Sequence, residues 1–216
     1  MKTNLIVLDT ETGGFSDKEN PITEVCLYIV NPATFKIVDK YQTYVRPYKN
    51  LKITKSAIEA TQVSMVDIEN GVELKTMVNM LMVYFKKARN GSTRDYPQLV
   101  GHNASFDIGF LKVAFDFCGK DLFSYIDSVP ICTYRMIKLH DASVKNEKLE
   151  TASASLTSSC ERFGIKLKSA HGAEADVIAT TALLKALTSK LRNSGDTKAI
   201  KEEKIVEEKS RKFFQF

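Results

Sequence analysis

The sequence predicts an α/β fold: a mixed central sheet of about five strands with an antiparallel hairpin at its edge, flanked by helices. Three observations carry this expectation. Residues 5–8 are a short aliphatic run bounded by turn formers, as in a strand covered on both faces. Residues 22–31 and 36–47 are rich in β-branched and aromatic side chains, and the intervening NPATF favours a turn. Beyond residue 72, segments of helical period alternate with short apolar runs.

Taken in order, the strand 5–8 ends at the Gly13-Gly14 break, and the hairpin follows. ELKTMVNMLMVYFKKA then places Leu74, Met77, Val78, Leu81, Tyr84, Phe85 and Ala88 at helical spacing, with Asn90-Gly91 closing the helix. PQLVGHNA reads as a short strand running into a loop, and FDIGFLKVAFDFCG as a helix ending at Gly119. Residues 126–139 hold a further strand or helix, interrupted by Pro130. SASLTSSCERFG is a capped helix, and 173–191 a long final one with Val177, Thr180, Leu184, Leu187 and Leu191 on its buried stripe. From Asn193 the composition turns polar and charged, so we expect a main domain over 1–192 and a C-terminal tail over 193–216.

A chain of 216 residues with 44% apolar and 26% charged residues is long enough for one sizeable core. No run approaches the roughly 18 apolar residues of a membrane span, and the start lacks the features of a signal peptide, so no membrane partner is expected. Four scattered cysteines without a CxxC pair argue against zinc or a disulfide framework and suggest a reducing, cytoplasmic setting. The net charge of +5 is compatible with an anionic partner such as nucleic acid. Basic residues cluster locally at Lys86, Lys87 and Arg89, at Arg135 and Lys138, and at Lys166 and Lys168.

The acids carry the chemistry. Asp9 and Glu11 close the first strand, and a period of two points both to one side. Asp107 shares a helical stripe with Phe110, Leu111 and Ala114, where a core would carry an apolar residue; Asp176 lies beside the buried stripe of the last helix. Singly, Asp107 fits a local cap or pair and Asp176 a helix-dipole contact. Together, four inward acids with no neighbouring arginine favour hard divalent cations, and hence two-metal phosphoryl chemistry. His171, five residues before Asp176 and followed by Gly172, is a candidate general base on a loop. His102, in the loop before Asn103, is a candidate substrate contact, while His140 reads as an ordinary surface residue.

With DTETGG, GHNASFD and HGAEAD in place, residues 4–191 resemble the DnaQ-like DEDDh 3′→5′ exonucleases, which adopt a ribonuclease H-like fold. The resemblance implies that Asp9, Glu11, Asp107 and Asp176 bind two Mg²⁺ or Mn²⁺ ions. It implies that His171 deprotonates the water attacking the 3′-terminal phosphodiester, releasing a nucleoside 5′-monophosphate. Thr12 and Gly13 would present backbone to the terminal nucleotide, the missing side chain of glycine allowing close approach. Phe15 would stack on or wedge against a base, or pack as a loop residue. Asn103 and Phe106 complete the expected surroundings of the substrate. The commonest form of the first motif has threonine where Gly13 stands, and the terminal RKFFQF lies outside the common fold. The implied substrate is a single-stranded 3′ end, with DNA favoured and RNA 3′-end trimming the alternative; a proofreading or repair factor beside a separate DNA polymerase chain and a free-standing trimmer of DNA or RNA ends both stay open.

Two other readings compete. Haloacid-dehalogenase-like phosphatases also end a first strand in an acid pair, D-x-D-x-T, but the second acid here is Glu11 and that chemistry has no use for His171. An exonuclease fold retained as a nucleic-acid or polymerase-binding module would ordinarily have lost metal ligands, and every expected acid is present.

Overall fold

The structure is a computed structural model describing residues 3–61, 63–144, 152–167 and 172–194. Strands β1 (Leu5–Thr12), β2 (Ile22–Val30), β3 (Ile37–Tyr44), β4 (Leu99–Gly101) and β5 (Ile131–Cys132) form one sheet in the order β3-β2-β1-β4-β5. β1, β2 and β3 pair antiparallel, whereas β4 joins β1 and β5 joins β4 in parallel. The expected mixed sheet with a hairpin edge is therefore present. Asn31 builds the hairpin turn: its Oδ1 accepts from the backbone N–H groups of Ala33 and Thr34, both at 3.0 Å.

Alternation along the central strands decides which side chains meet which helices. Ile6 and Leu8 of β1, with Val25, Leu27 and Ile29 of β2, face helices α3 (Leu74–Ala88) and α4 (Ser105–Phe117). Leu5 and Val7, with Cys26, Tyr28 and Val30, face helix α7 (Ala173–Ser194). Helices α5 (Thr133–Ser143) and α6 (Leu156–Arg162) add a smaller cluster against α7 through Ile137, Cys160, Ala179, Leu183 and Leu187. Burying such side chains contributes roughly 1.5–3 kcal/mol apiece, so α7, which carries Asp176, is firmly seated on the sheet.

Several sequence expectations change. The first strand extends beyond the apolar run 5–8 to Thr12, with Asp9 and Glu11 in its last half as expected, because pairing with β2 continues through Glu11↔Glu24 and Thr12↔Ile22. Residues 126–139 supply both alternatives, a two-residue strand and the start of α5. Two short helices, α1 (Lys55–Thr61) and α2 (Met65–Glu69), were not anticipated. Leu191, expected on the buried stripe of the last helix, is 59% exposed, since α7 outruns the sheet at that end, while Val177, Thr180, Leu184 and Leu187 are buried. His140 is not free on the surface: Nδ1 lies 3.1 Å from Asp141, which also accepts from Arg162 at 2.8 Å. No described helix is long and apolar enough to cross a membrane. The 193–216 tail, apart from the end of α7, lies outside the described residues.

Candidate active site

Asp9 and Glu11 follow Leu5 and Val7 on the same face of β1, so the pleat delivers both carboxylates to the α7 side of the sheet. Asp176 is in the first turn of α7 on that same side. Ligand atoms of Asp9, Glu11 and Asp176 lie within 4.8 Å of one another. Gly172, with φ of +143°, sits in a backbone region suited to glycine, and its carbonyl accepts from the Asp176 N–H at 3.2 Å. The turn of the chain into α7 thus fixes where Asp176 begins its approach.

The same first turn is tied down from below. Tyr28 on β2 donates its hydroxyl to Glu174 Oε1 at 2.6 Å, and Lys40 on β3 reaches the same oxygen at 3.0 Å. These bonds hold the Glu174 carboxyl below its ordinary pKa, with the Tyr28 contact the larger cause.

Asp107 arrives differently. It projects from the first turn of α4 on the opposite side, and Thr10, whose side chain alternates away from Asp9 and Glu11, receives it. Oδ1 of Asp107 accepts from Thr10 N–H at 3.0 Å and from Thr10 Oγ1 at 2.8 Å. Asp107 is therefore locked beside the triad, and its charge acts on Asp9 and Glu11.

The electrostatics are those of a site built for a cation. Burial, then the charges of Asp107, Asp176, Glu11 and Glu24, pushes the Asp9 carboxyl well above the usual range. Burial and then Asp176 raise Glu11 to about 7. Asp107 is raised by burial despite its two bonds from Thr10. Oxygen donors that repel one another when ionised fit a hard divalent ion, and the charges acting on Asp9 and Glu11 are all other carboxylates.

Glu24 was missed from the sequence. It is 2% exposed, stands directly across from Glu11 in the β1–β2 register, and accepts from Gln42 Nε2 at 2.6 Å. A lone charged residue in the β-rich ITEVCLYIV, two residues before Cys26, is the signal that would find it once the hairpin register is known.

The other expected residues are distributed as follows. Thr12 is buried, and its hydroxyl donates to the Gly14 carbonyl at 2.7 Å. A Cβ on Gly13 would sit 2.8 Å from Pro21 Cδ and 2.9 Å from the Lys52 carbonyl, so the chain's own packing already demands glycine there. Phe15 is 94% exposed at the tip of the loop after β1, which removes the packing explanation for its side chain. Asn103 is exposed with φ of +71° in the turn before α4, and Phe106 packs on Phe110 with ring centroids 4.9 Å apart. His102 has both ring nitrogens engaged within the protein, Nδ1 with Thr133 Oγ1 and Nε2 with the Ala154 carbonyl, each at 2.9 Å. A carbonyl only accepts, so Nε2 carries the proton, and burial keeps the ring neutral by lowering its pKa. The expected substrate contact is thus a tie between β4, α5 and the segment before α6. His171 lies outside the described residues.

Comparison with known proteins points the same way. Residues 6–184 match the family model RNase_T, described as Exonuclease. The chain is 31% identical over 199 residues to the PolC-type DNA polymerase III of Clostridium perfringens, covering 91% of this chain and 12% of that protein. It is 28% identical over 187 residues to the PolC-type enzyme of Bacillus subtilis, covering 83% of this chain and 11% of that protein. The chain therefore spans about an eighth of the length of the curated relatives it matches. Among solved structures, Escherichia coli Exonuclease I in complex with a dT13 oligonucleotide superposes with a TM-score of 0.73 at 17% identity, over 90% of this chain and 43% of that one. A product-bound form of exonuclease I gives a TM-score of 0.71 at 16% identity, over 88% and 44% of the two chains.

Proposed function

The chain belongs to the exonuclease family whose model it matches over residues 6–184, and from that premise we propose that it removes nucleotides one at a time from the 3′ end of single-stranded DNA. The observation that carries this reading is the convergence of Asp9, Glu11 and Asp176 within 4.8 Å at the end of β1. The fold supports it as well, being shared with a nuclease whose structure holds an oligonucleotide.

Asp9, Glu11 and Asp176, with Asp107 alongside, are the residues that would hold two Mg²⁺ or Mn²⁺ ions. Such ions, when bound, lower the pKa of an attacking water and offset the charge of an in-line displacement. Thr10 fixes Asp107 so that its carboxylate need not search for its place. Phe15, fully accessible beside the site, offers a ring face to a terminal base. Thr12, Gly13, Asn103 and Phe106 are the residues we assign to the surroundings of the terminal nucleotide, and Glu24 stands across from Glu11 in the β1–β2 register. His171 takes the proton of the attacking water as its oxygen bonds to phosphorus; the bond from phosphorus to the 3′-oxygen of the preceding nucleotide breaks, that oxygen takes a proton from solvent to become the new 3′-hydroxyl, and a nucleoside 5′-monophosphate leaves.

We place the catalytic domain in residues 1–192. The PolC relatives are DNA polymerases, which supports DNA as substrate and proofreading beside a polymerase in the cytoplasm as the role. The test is a time course on matched 5′-labelled single-stranded DNA and RNA oligonucleotides with Mg²⁺, with Mn²⁺ and with EDTA. A ladder shortening from the 3′ end only with metal, faster on DNA, is expected. A faster RNA ladder would make the protein an RNA 3′-end trimming enzyme, and binding without cleavage a nucleic-acid-binding module.

A further inference from the structure

Segment 46–54 leaves the sheet after β3 and connects two places on the surface. At one end it is tied to the loop that follows β1: Thr54 N–H donates to the Gly13 carbonyl at 2.8 Å, and the Lys52 carbonyl accepts from Asn20 of the same loop at 2.8 Å. At the other end it lines an open cleft of about 560 Å³ formed with the start of α3 and the end of α4. Tyr48 belongs to both, since its hydroxyl accepts from the N–H of Ile22, the residue paired with Thr12.

The lining has a defined chemistry. Arg46, Lys49 and Lys75 bring three positive charges against the single acid Glu73. The rings of Tyr48 and Phe117 meet edge to face at 6.2 Å, and the Lys49 ammonium sits 5.7 Å from the Phe117 ring centre. Phe117 is 40% exposed although it is a large apolar residue. Lys49 and Asn50 have consecutive positive φ values of 55° and 57°. Left-handed backbone at two consecutive non-glycine residues persists where the surroundings impose it. Here it sets Lys49 over the ring at the mouth of the cleft.

Resting on the exonuclease reading above, we infer that this cleft is a second binding site for the same single strand, taking nucleotides on the 5′ side of the one being removed. Phosphates meet Arg46, Lys49 and Lys75, and a base takes the place over Phe117 that Lys49 occupies as the ammonium turns to a phosphate; a basic groove with an aromatic ring is what an unpaired strand requires. The reach is suitable. Phe117 ends the helix that begins beside Asp107, so the cleft lies about 15 Å along α4 from Asp107 at 1.5 Å per residue. A strand of several nucleotides spans that distance and a mononucleotide does not, so the site gives the enzyme a preference for long substrates.

The experiment compares three substrates: the p-nitrophenyl ester of thymidine 5′-monophosphate, a thymidine trinucleotide and a thymidine hexadecamer. In the wild type, KM falls from trinucleotide to hexadecamer. The Lys49→Ala/Lys75→Ala double variant raises KM for the hexadecamer about tenfold at moderate salt and reduces its salt dependence by the slope of about one to two phosphates. Phe117→Ala raises that KM about fivefold or more. Ester hydrolysis and kcat stay as in the wild type, and Lys75→Arg keeps the hexadecamer KM. Equal wild-type KM for the trinucleotide and hexadecamer overturns the inference, and so does a loss in the variants that is the same for all three substrates. A wild type that cleaves none of the three with metal present sinks the exonuclease reading instead. Fluorescence anisotropy of a labelled hexadecamer in EDTA then decides the cleft alone, equal affinity of wild type and double variant overturning it.

Discussion

Replacing Glu11 by glutamine should stabilise the metal-free protein while destroying its activity. Burial and the charge of Asp176 raise the Glu11 carboxyl from its ordinary 4.5 to about 7. Between these values the folded protein holds the proton and the unfolded chain has released it, so stability falls as pH rises through the window, and the full loss is present above about pH 7. Each pKa unit is worth about 1.4 kcal/mol, which puts the penalty from this one side chain at about 3 kcal/mol. Glu11→Gln removes it and relieves Asp9 as well, whose pKa Glu11 also raises. For a chain of this size, 1 kcal/mol moves Tm by about 2–4 °C, so a gain of about 6–12 °C is expected near pH 8 in EDTA, and almost none near pH 4. Far-UV circular dichroism melts over that pH range measure it. Saturating Mg²⁺ should raise the wild-type Tm at the higher pH and the variant's much less. A variant no more stable than wild type near pH 8 in EDTA, or a wild-type Tm that does not fall between about pH 5 and pH 8, would refute the account of a mutually repelling, cation-seeking cluster.

Thr10→Val keeps the shape of β1 and the backbone bond to Asp107 but deletes the hydroxyl donor at 2.8 Å; a loss of about 1.5–3 kcal/mol in urea denaturation is expected, with weaker metal binding by calorimetry. Tyr28→Phe frees Glu174 from its 2.6 Å partner, and hydrogen exchange should quicken in the first turns of α7 with about 1 kcal/mol lost globally; unchanged exchange there would mean that Lys40 suffices as the anchor. His171→Ala should slow the chemical step about 10²- to 10⁴-fold while leaving metal affinity intact, and an unaltered single-turnover rate would remove His171 from the mechanism.

Much of the fold was legible because its signals are long or chemically distinctive. Fifteen residues of helical period define α3, and the Asn31-Pro32 turn between two β-rich segments defines the hairpin. Short elements escaped for the opposite reason: α1 and α2, of seven and five residues, are too brief for a period to register. The apolar run 5–8 marks only the buried half of β1; Asp9 and Glu11 at its end keep the strand's period of two because neighbouring β2 supplies their backbone partners. His102 was placed near substrate by its position in the motif, yet Thr133 and Ala154, 31 and 52 residues away, occupy its nitrogens. None of the local basic clusters in the sequence forms the positive cleft; Arg46, Lys49 and Lys75 are separated in the chain and joined only by folding.

By itself, the sequence determined the kinds of groups available: four acids in three motifs, each beside an element able to carry it inward, and an alternation placing Asp9 and Glu11 on one face. Local chemistry and period are written in consecutive residues, so one strand or helix can be read alone. Tertiary structure decided which groups meet. Asp176 joins Asp9 and Glu11 because α7 packs on their side of the sheet, Asp107 comes from the other side onto Thr10, and Glu24 faces Glu11 through the β1–β2 register. Those meetings depend on contacts between residues up to 167 positions apart, whose geometry is set by packing of the whole core and by no short stretch of the chain.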